Sequence, residues 1–323
     1  MADHAEDDFD GDIFIYRGGH APLHVTHARI DKSVNEIEVH AFRDCEHLVT
    51  VETHDGIRKI GKYAFSWCKS LRQINLKSVG EIEESAFCNC KNLESVEFGD
   101  KLESIRHNAF YECPSLKHVK LPSIITIGNA AFANCQSLTD IELSERLETI
   151  RAVAFLNCER LQRVAIPLKR DLFVFDDYFQ RYCQFDDCEK LTTADLVGGI
   201  DKTVASLHME SWRTEMIAEI NRINRVLPAI HADDKTGEIR QWTDSVMDKL
   251  DHYKAEHVRY VKEGITLLEL ALWKGNLGEK EDDFGDGKTK KAKIDTDSAR
   301  KGKRITCCAE IVIKNVLPFL KLN

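Results

Sequence analysis

No apolar run in the 323-residue chain approaches 18 residues, the length a membrane-spanning helix needs. The opening "MADHAEDDFDGD" carries six acids and no base, whereas a secretory signal begins basic and continues apolar. A basic excess is missing as well. The formal net charge is −9, which argues against a dedicated nucleic-acid binder. These absences point to an intracellular protein with neither a membrane nor a nucleic-acid partner. Close C-x2-C pairs of the kind that hold zinc are also missing, although there are 11 cysteines. An odd count in a chain with no export signal reads as reduced thiols.

What is present is a repeat. Ile-x3-Ala-Phe begins at Ile37, Ile60, Ile82, Ile105, Ile127 and Ile150. Phe-x2-Cys-x2-Leu begins at Phe42, Phe65, Phe87, Phe110, Phe132, Phe155 and Phe185, and the first six of these are 22 or 23 residues apart. A fixed period with kept apolar positions means a solenoid, because one coil cannot bury its own apolar face and stacked coils share one. Phe is expected to sit on Phe. Cys45, Cys68, Cys90, Cys113, Cys135, Cys158 and Cys188 are expected to form a parallel inner line. A thiol suits that place as a small, polarizable hydrophobe.

The L-x-x-V-x-L stretches ("LRQINL", "LKHVKL", "LTDIEL") are the strands. Alternation turns Val119 and Leu121 inward and His118 and Lys120 outward. The outward ladder runs Thr50, Glu52, Gln73, Asn75, Ser95, Glu97, His118, Lys120, Asp140, Glu142, Arg163 and Ala165. Of these, Gln73, Asn75, Glu97, His118, Lys120, Asp140, Glu142 and Arg163 are the candidate partner-binding residues. A wide polar surface suits a protein partner better than a small molecule, and the alternation of charge sign along it offers specificity.

This frame resembles the leucine-rich repeat of the BspA type over about residues 30–200. The whole chain also resembles a large algal group of such proteins, through "LLELALW" (Leu267–Trp273) and "IVIKNVLPFL" (Ile311–Leu320). The resemblance implies the fold far more than the function, since it carries no established activity with it. The seventh coil carries an insertion with Phe173, Phe175, Tyr178, Phe179, Tyr182 and Phe185. It reads either as a cap on the solenoid end or as an aromatic binding patch.

After "VGG" (Val197–Gly199) the apolar period becomes helical. One helix is expected over 203–227 and a second over 238–277. The second carries a stripe of Ile239, Trp242, Val246, Leu250, Tyr253, His257, Val261, Ile265, Leu268 and Leu272, spaced three or four residues apart like a coiled-coil seam. At ~1.5 Å per residue the two helices differ in length by more than 20 Å. Part of the longer seam therefore needs another cover, either the apolar segment 305–323 of the same chain or a second protein, which includes a homo-oligomer through helices 203–227 and 238–277.

Between them, 279–304 reads as a disordered charged linker. Its basic clusters Lys288–Lys293 and Arg300–Arg304 fit either a nuclear import signal or a solvated spacer, so the expected compartment is cytoplasmic or nuclear.

Several chemical motifs fail on inspection. "GDGKT" (Gly285–Thr289) has Asp282 where a phosphate loop needs Gly. "EDDFDGDIFIYR" (Glu6–Arg17) ends in Arg where a calcium loop needs Glu. His20, His24 and His27 sit in a segment with Gly, Pro and Val, where a shared helical face is not expected. No catalytic residue, metal ligand or cofactor is assigned.

The expected fold class is α+β, a leucine-rich-repeat solenoid with a parallel β ladder of about seven coils followed by an α-helical hairpin or bundle. The domains run 1–29 (acidic segment and cap), 30–200 (solenoid), 201–278 (hairpin), 279–304 (linker) and 305–323 (apolar segment packing on the helices). The expected function is a non-enzymatic protein-interaction module; the alternative is a structural protein that self-associates through its helices.

Overall fold

The computed structural model describes residues 9–10, 12–174, 183–207 and 209–281. They divide into two compact units: the repeats through Ser206 with Thr214–Asp248, and Leu207–Arg213 with the chain from Lys249.

In the first unit the repeat folds as the spacing requires. The seven phenylalanines are fully buried. Their rings stack face to face from Phe42 to Phe185, with centroids 5.0–5.6 Å apart and planes within 9°. Tyr16 extends the column, 5.0 Å from Phe42. The Ala before each of the first six, Ala41 to Ala154, is buried as well, which lets neighbouring coils approach closely. The N–H of each of the first six phenylalanines then donates to the carbonyl one coil ahead: Phe42 to Ala64 and Phe65 to Ala86 at 2.7 Å, and onward to Phe155 and Gln184 at 3.0 Å.

The thiols do more than fill space. Cys68 Sγ donates to the Phe42 carbonyl at 3.0 Å, Cys90 to Phe65 and Cys113 to Phe87 at 3.1 Å, and Cys188 to Phe155 at 3.2 Å. All nine cysteines of the described residues are free thiols. Burial pushes the Cys45 thiol up to about 11 and those of Cys68, Cys113, Cys135 and Cys158 well above their ordinary range.

The strand ladder is parallel but divided. One sheet holds Ile13–Tyr16, His27–Ile30, Thr50–Glu52, Gln73–Leu76 and Ser95–Phe98, with Phe9–Asp10 antiparallel at its edge. Another holds His118–Lys120, Asp140–Glu142, Arg163–Ile166 and Thr193–Leu196. The ladder thus begins at Ile13, inside the stretch expected to be an acidic segment and cap. A third sheet joins two-residue strands at the start of each repeat, Glu36–Ile37 through Thr149–Ile150.

The expected helix over 203–227 is broken. The chain forms α1 (Gly199–Val204), α2 (Glu210–Ile220), α3 (Ile223–Val226) and a 3-10 turn at Leu227–Ala229. Between α2 and α3 the bonding tightens from four residues back (Asn221 to Ile217) to three (Arg222 to Glu219). The long helix is α4, Lys235–Glu281, three residues earlier than expected at its start. Its N-terminal part belongs to the first unit, where the Trp242 indole N–H donates to the Glu219 carbonyl at 3.2 Å. There Arg222 bridges Glu219 and Glu238 at 3.1 and 2.9 Å. In the second unit Trp212 stacks on Tyr253 at 5.1 Å.

The last coil ends on α3 and α4. Lys235 is 2% exposed, and its Nζ donates to the carbonyls of Cys188 and Glu189 at 2.9 and 2.7 Å. The Phe185 N–H donates to Thr236 Oγ1 at 3.0 Å, and the Ala194 N–H to Asn224 Oδ1 at 2.8 Å. These side chains take the place of a further coil. From the insertion, Phe173 is buried and edge-on to Phe185 at 6.1 Å, so it belongs to the core and not to a surface patch. The remaining insertion aromatics except Phe185 lie outside the described residues, as do the basic clusters and the segment 305–323.

Candidate functional site

The strand alternation turns the predicted ladder residues outward, with one exception: Ala165, expected on the outward face, is 2% exposed and buried in the core. Gln73 lies between Thr50 and Ser95 in register, and Asn75 faces Glu97. In the second sheet His118 faces Asp140, which faces Arg163, while Lys120 faces Glu142. Gln73, Asn75 and Glu97 therefore stand on one sheet, and His118, Lys120, Asp140, Glu142 and Arg163 on the other.

Parallel register places the charges of successive coils within reach of one another. Lys77 pairs with Glu97 at 2.9 Å and Lys120 with Glu142 at 3.2 Å. Arg163 sits between Asp140 and Asp195, at 2.8 and 2.7 Å. The hydrogen bond to Asp140, reinforced by Asp195, holds the guanidinium charged. The alternating signs along the ladder are thus committed to one another. Exposed pairs of this kind contribute at most about 1 kcal/mol each, but they remove net charge from the face. His118 Nδ1 lies 3.3 Å from the Thr139 hydroxyl, and Asn75 Oδ1 accepts from the Lys77 backbone N–H at 3.0 Å.

Where the ladder meets α2 the face becomes concave. Glu142, Arg163 and Asp195 form one wall, and Ile217, Ile220 and Asn221 the other, of an open groove of about 600 Å³. Ile217 is 39% exposed. Asp195 and Ile217 were not among the predicted residues. Asp195 lies 32 residues from Arg163, outside the repeat period, and α2 has no periodic relation to the strands. A second open groove, about 490 Å³, lies along the short strands. Two of its cations are already paired, Lys62 with Glu84 and Arg106 with Glu81.

Among the described residues no cluster of three His, Cys, Asp or Glu is placed to hold a metal, and no helix is long and apolar enough to cross a membrane. The ladder thiols, buried and donating, offer no nucleophile.

Of known proteins, a T. pallidum leucine-rich repeat protein of solved structure is 25% identical, with 55% of this chain and 82% of that one covered and a TM-score of 0.45. The pneumococcal vaccine antigen PcpA is 19% identical over 52% of this chain and 61% of that one, TM-score 0.28. A leucine-rich repeat protein from Bacteroides ovatus is 20% identical over 53% and 55%, TM-score 0.30. No curated protein matches. The family model for the BspA type leucine-rich repeat region matches residues 20–126 and 103–208. With more than half of its length matched, carrying the stacked Phe and Cys positions described above, the chain belongs to the BspA type leucine-rich repeat family.

Proposed function

We propose that the protein is a non-enzymatic protein-interaction module that binds its partner on the outward strand face, centred where that face meets α2. Leucine-rich repeat families generally serve as interaction modules. The observation that carries the reading is the groove beside Arg163, where ladder side chains and an exposed apolar residue, Ile217, line one concavity. An open groove with a partly exposed aliphatic anchor fits an extended segment of another protein better than an enclosed small molecule. Because the ladder charges are paired, specificity rests on shape and hydrogen bonds more than on net field.

The test compares capture by the full chain and by Ile217→Glu, with matched melting temperatures. A partner held by the wild type and lost by Ile217→Glu supports the groove. Equal capture by both removes it, and loss with Lys120→Glu alone moves the site to the middle of the ladder.

The second reading, a structural protein that self-associates through its helices, is favoured by the open apolar seam of α4.

A further inference from the structure

The α4 stripe is buried at Ile239, Trp242, Val246, Leu250 and Tyr253. Beyond the half-buried His257 it opens, and Val258, next along the chain, joins its edge. Val258, Ile265 and Leu272 are exposed, and Val261 and Leu268 are half-buried. Their spacings of three, four, three and four residues place all five on one side, the a and d positions of a heptad. The open stripe is about 21 Å long.

Two charges flank it on the same side. Lys262 and Glu269 both follow a d residue, one heptad apart. Their neighbours pair within the helix: Asp251 with Lys254, and Arg259 with Glu256 and Glu263. Lys262 and Glu269 make no ion pair among the described residues.

Two free charges of opposite sign beside an open seam are complementary to themselves under a two-fold axis. In an antiparallel pair the positions after d face one another. Lys262 then meets Glu269 of a second copy, and the symmetry gives the contact twice. In a parallel pair they would face His257 and Gly264, leaving both charges unpaired.

We propose that the second unit self-associates. The α4 stripe from Val258 to Leu272 packs antiparallel on the same stripe of a second copy of this chain, and Lys262 and Glu269 form two equivalent inter-chain ion pairs. Ile265 and Leu268 lie at the centre of the contact. Leu267 and Trp273, 67% and 71% exposed, lie outside this stripe and are given no occupant.

The test is sedimentation equilibrium of the full chain with four samples: wild type, Lys262→Glu, Glu269→Lys and the double variant. Wild type dimerises. Each single reversal weakens the dimer about tenfold, because like charges meet at two symmetric contacts, and the double variant recovers it. Mixed together, the two single variants form the heterodimer in preference to either homodimer, read by native mass spectrometry. That recovery also shows that the variants fold. A wild-type chain that stays monomeric, reversals without effect, or a mixture without preference overturns the proposal. So does a monomeric Leu268→Cys chain that cross-links to its own Cys308, because segment 305–320 then covers the stripe.

Discussion

Cys113 Sγ lies 3.1 Å from the carbonyl oxygen of Phe87, one coil back. The same oxygen accepts the N–H of Cys90 within its own coil, at 3.3 Å. The Phe42 and Phe65 carbonyls likewise accept a backbone N–H of their own coil, from Cys45 and Cys68, and the thiol of the next coil, from Cys68 and Cys90. The repeat thus keeps cysteine for its S–H as well as for its size.

This makes a prediction that a purely hydrophobic ladder does not. Cys113→Ser keeps a donor, whereas Cys113→Ala and Cys113→Val remove it. Serine is expected to be the mildest change, about 1 kcal/mol. Alanine, which adds a cavity, should cost about 2–3 kcal/mol. Urea unfolding of the three variants decides it, and valine outperforming serine would show that volume alone matters.

Alkaline pH should unfold the protein steeply. Burial pushes the thiols of Cys45, Cys68, Cys90, Cys113, Cys135 and Cys158 up in the folded state. Unfolded thiols ionise near pH 8.5. The stabilisation is therefore complete below that pH and is lost as pH rises toward about 11, where Cys45 titrates in the fold. Each thiol contributes a slope of about 1.4 kcal/mol per pH unit. Denaturation midpoints measured from pH 7.5 to 10 should fall accordingly, and Cys113→Val should reduce the slope by about one proton.

The Phe and Cys columns were legible in the sequence because a periodic apolar residue has only one place to go in a stack of coils. The two-residue strands such as Glu36–Ile37 were not, because two residues carry no alternation. Nor was the commitment of the ladder charges. Lys120 with Glu142 follows the period, but the insertion lengthens the spacing to the next coil, so Asp195 lies 32 residues from Arg163 and outside that period. The capping role of Lys235 was hidden for a different reason: a lone lysine reads as a solvated charge, and here it is buried against two carbonyls.

That burial gives a third prediction. Lys235→Met keeps the stem and removes the donor, leaving the carbonyls of Cys188 and Glu189 without it. It should cost about 2–4 kcal/mol. Amide hydrogen exchange should accelerate first in Cys188–Leu196. A chain ending at Gly199 lacks Asn224, Lys235 and Thr236 together and is expected to aggregate instead of folding as an isolated solenoid, which size-exclusion chromatography reads directly.

Backbone strain gives a fourth. The residue before each ladder cysteine has positive φ: Asp44, Trp67, Asn89, Glu112, Asn134, Asn157 and Asp187, between 56° and 65°. Asn and Asp tolerate that conformation better than other side chains. Glu112→Asn should raise stability by about 0.5–1 kcal/mol, and Glu112→Val should lower it by at least about 1 kcal/mol. Thermal unfolding of the pair checks the sign.

The most direct test of the account is native-state thiol labelling at pH 8 with peptide-level mass spectrometry, across a urea series. Cys45, Cys68, Cys90, Cys113, Cys135, Cys158 and Cys188 should stay unlabelled in native buffer and become reactive together at the global unfolding midpoint. Rapid labelling of any of them in the folded protein, or their recovery as disulfides, would contradict a column of buried, donating thiols.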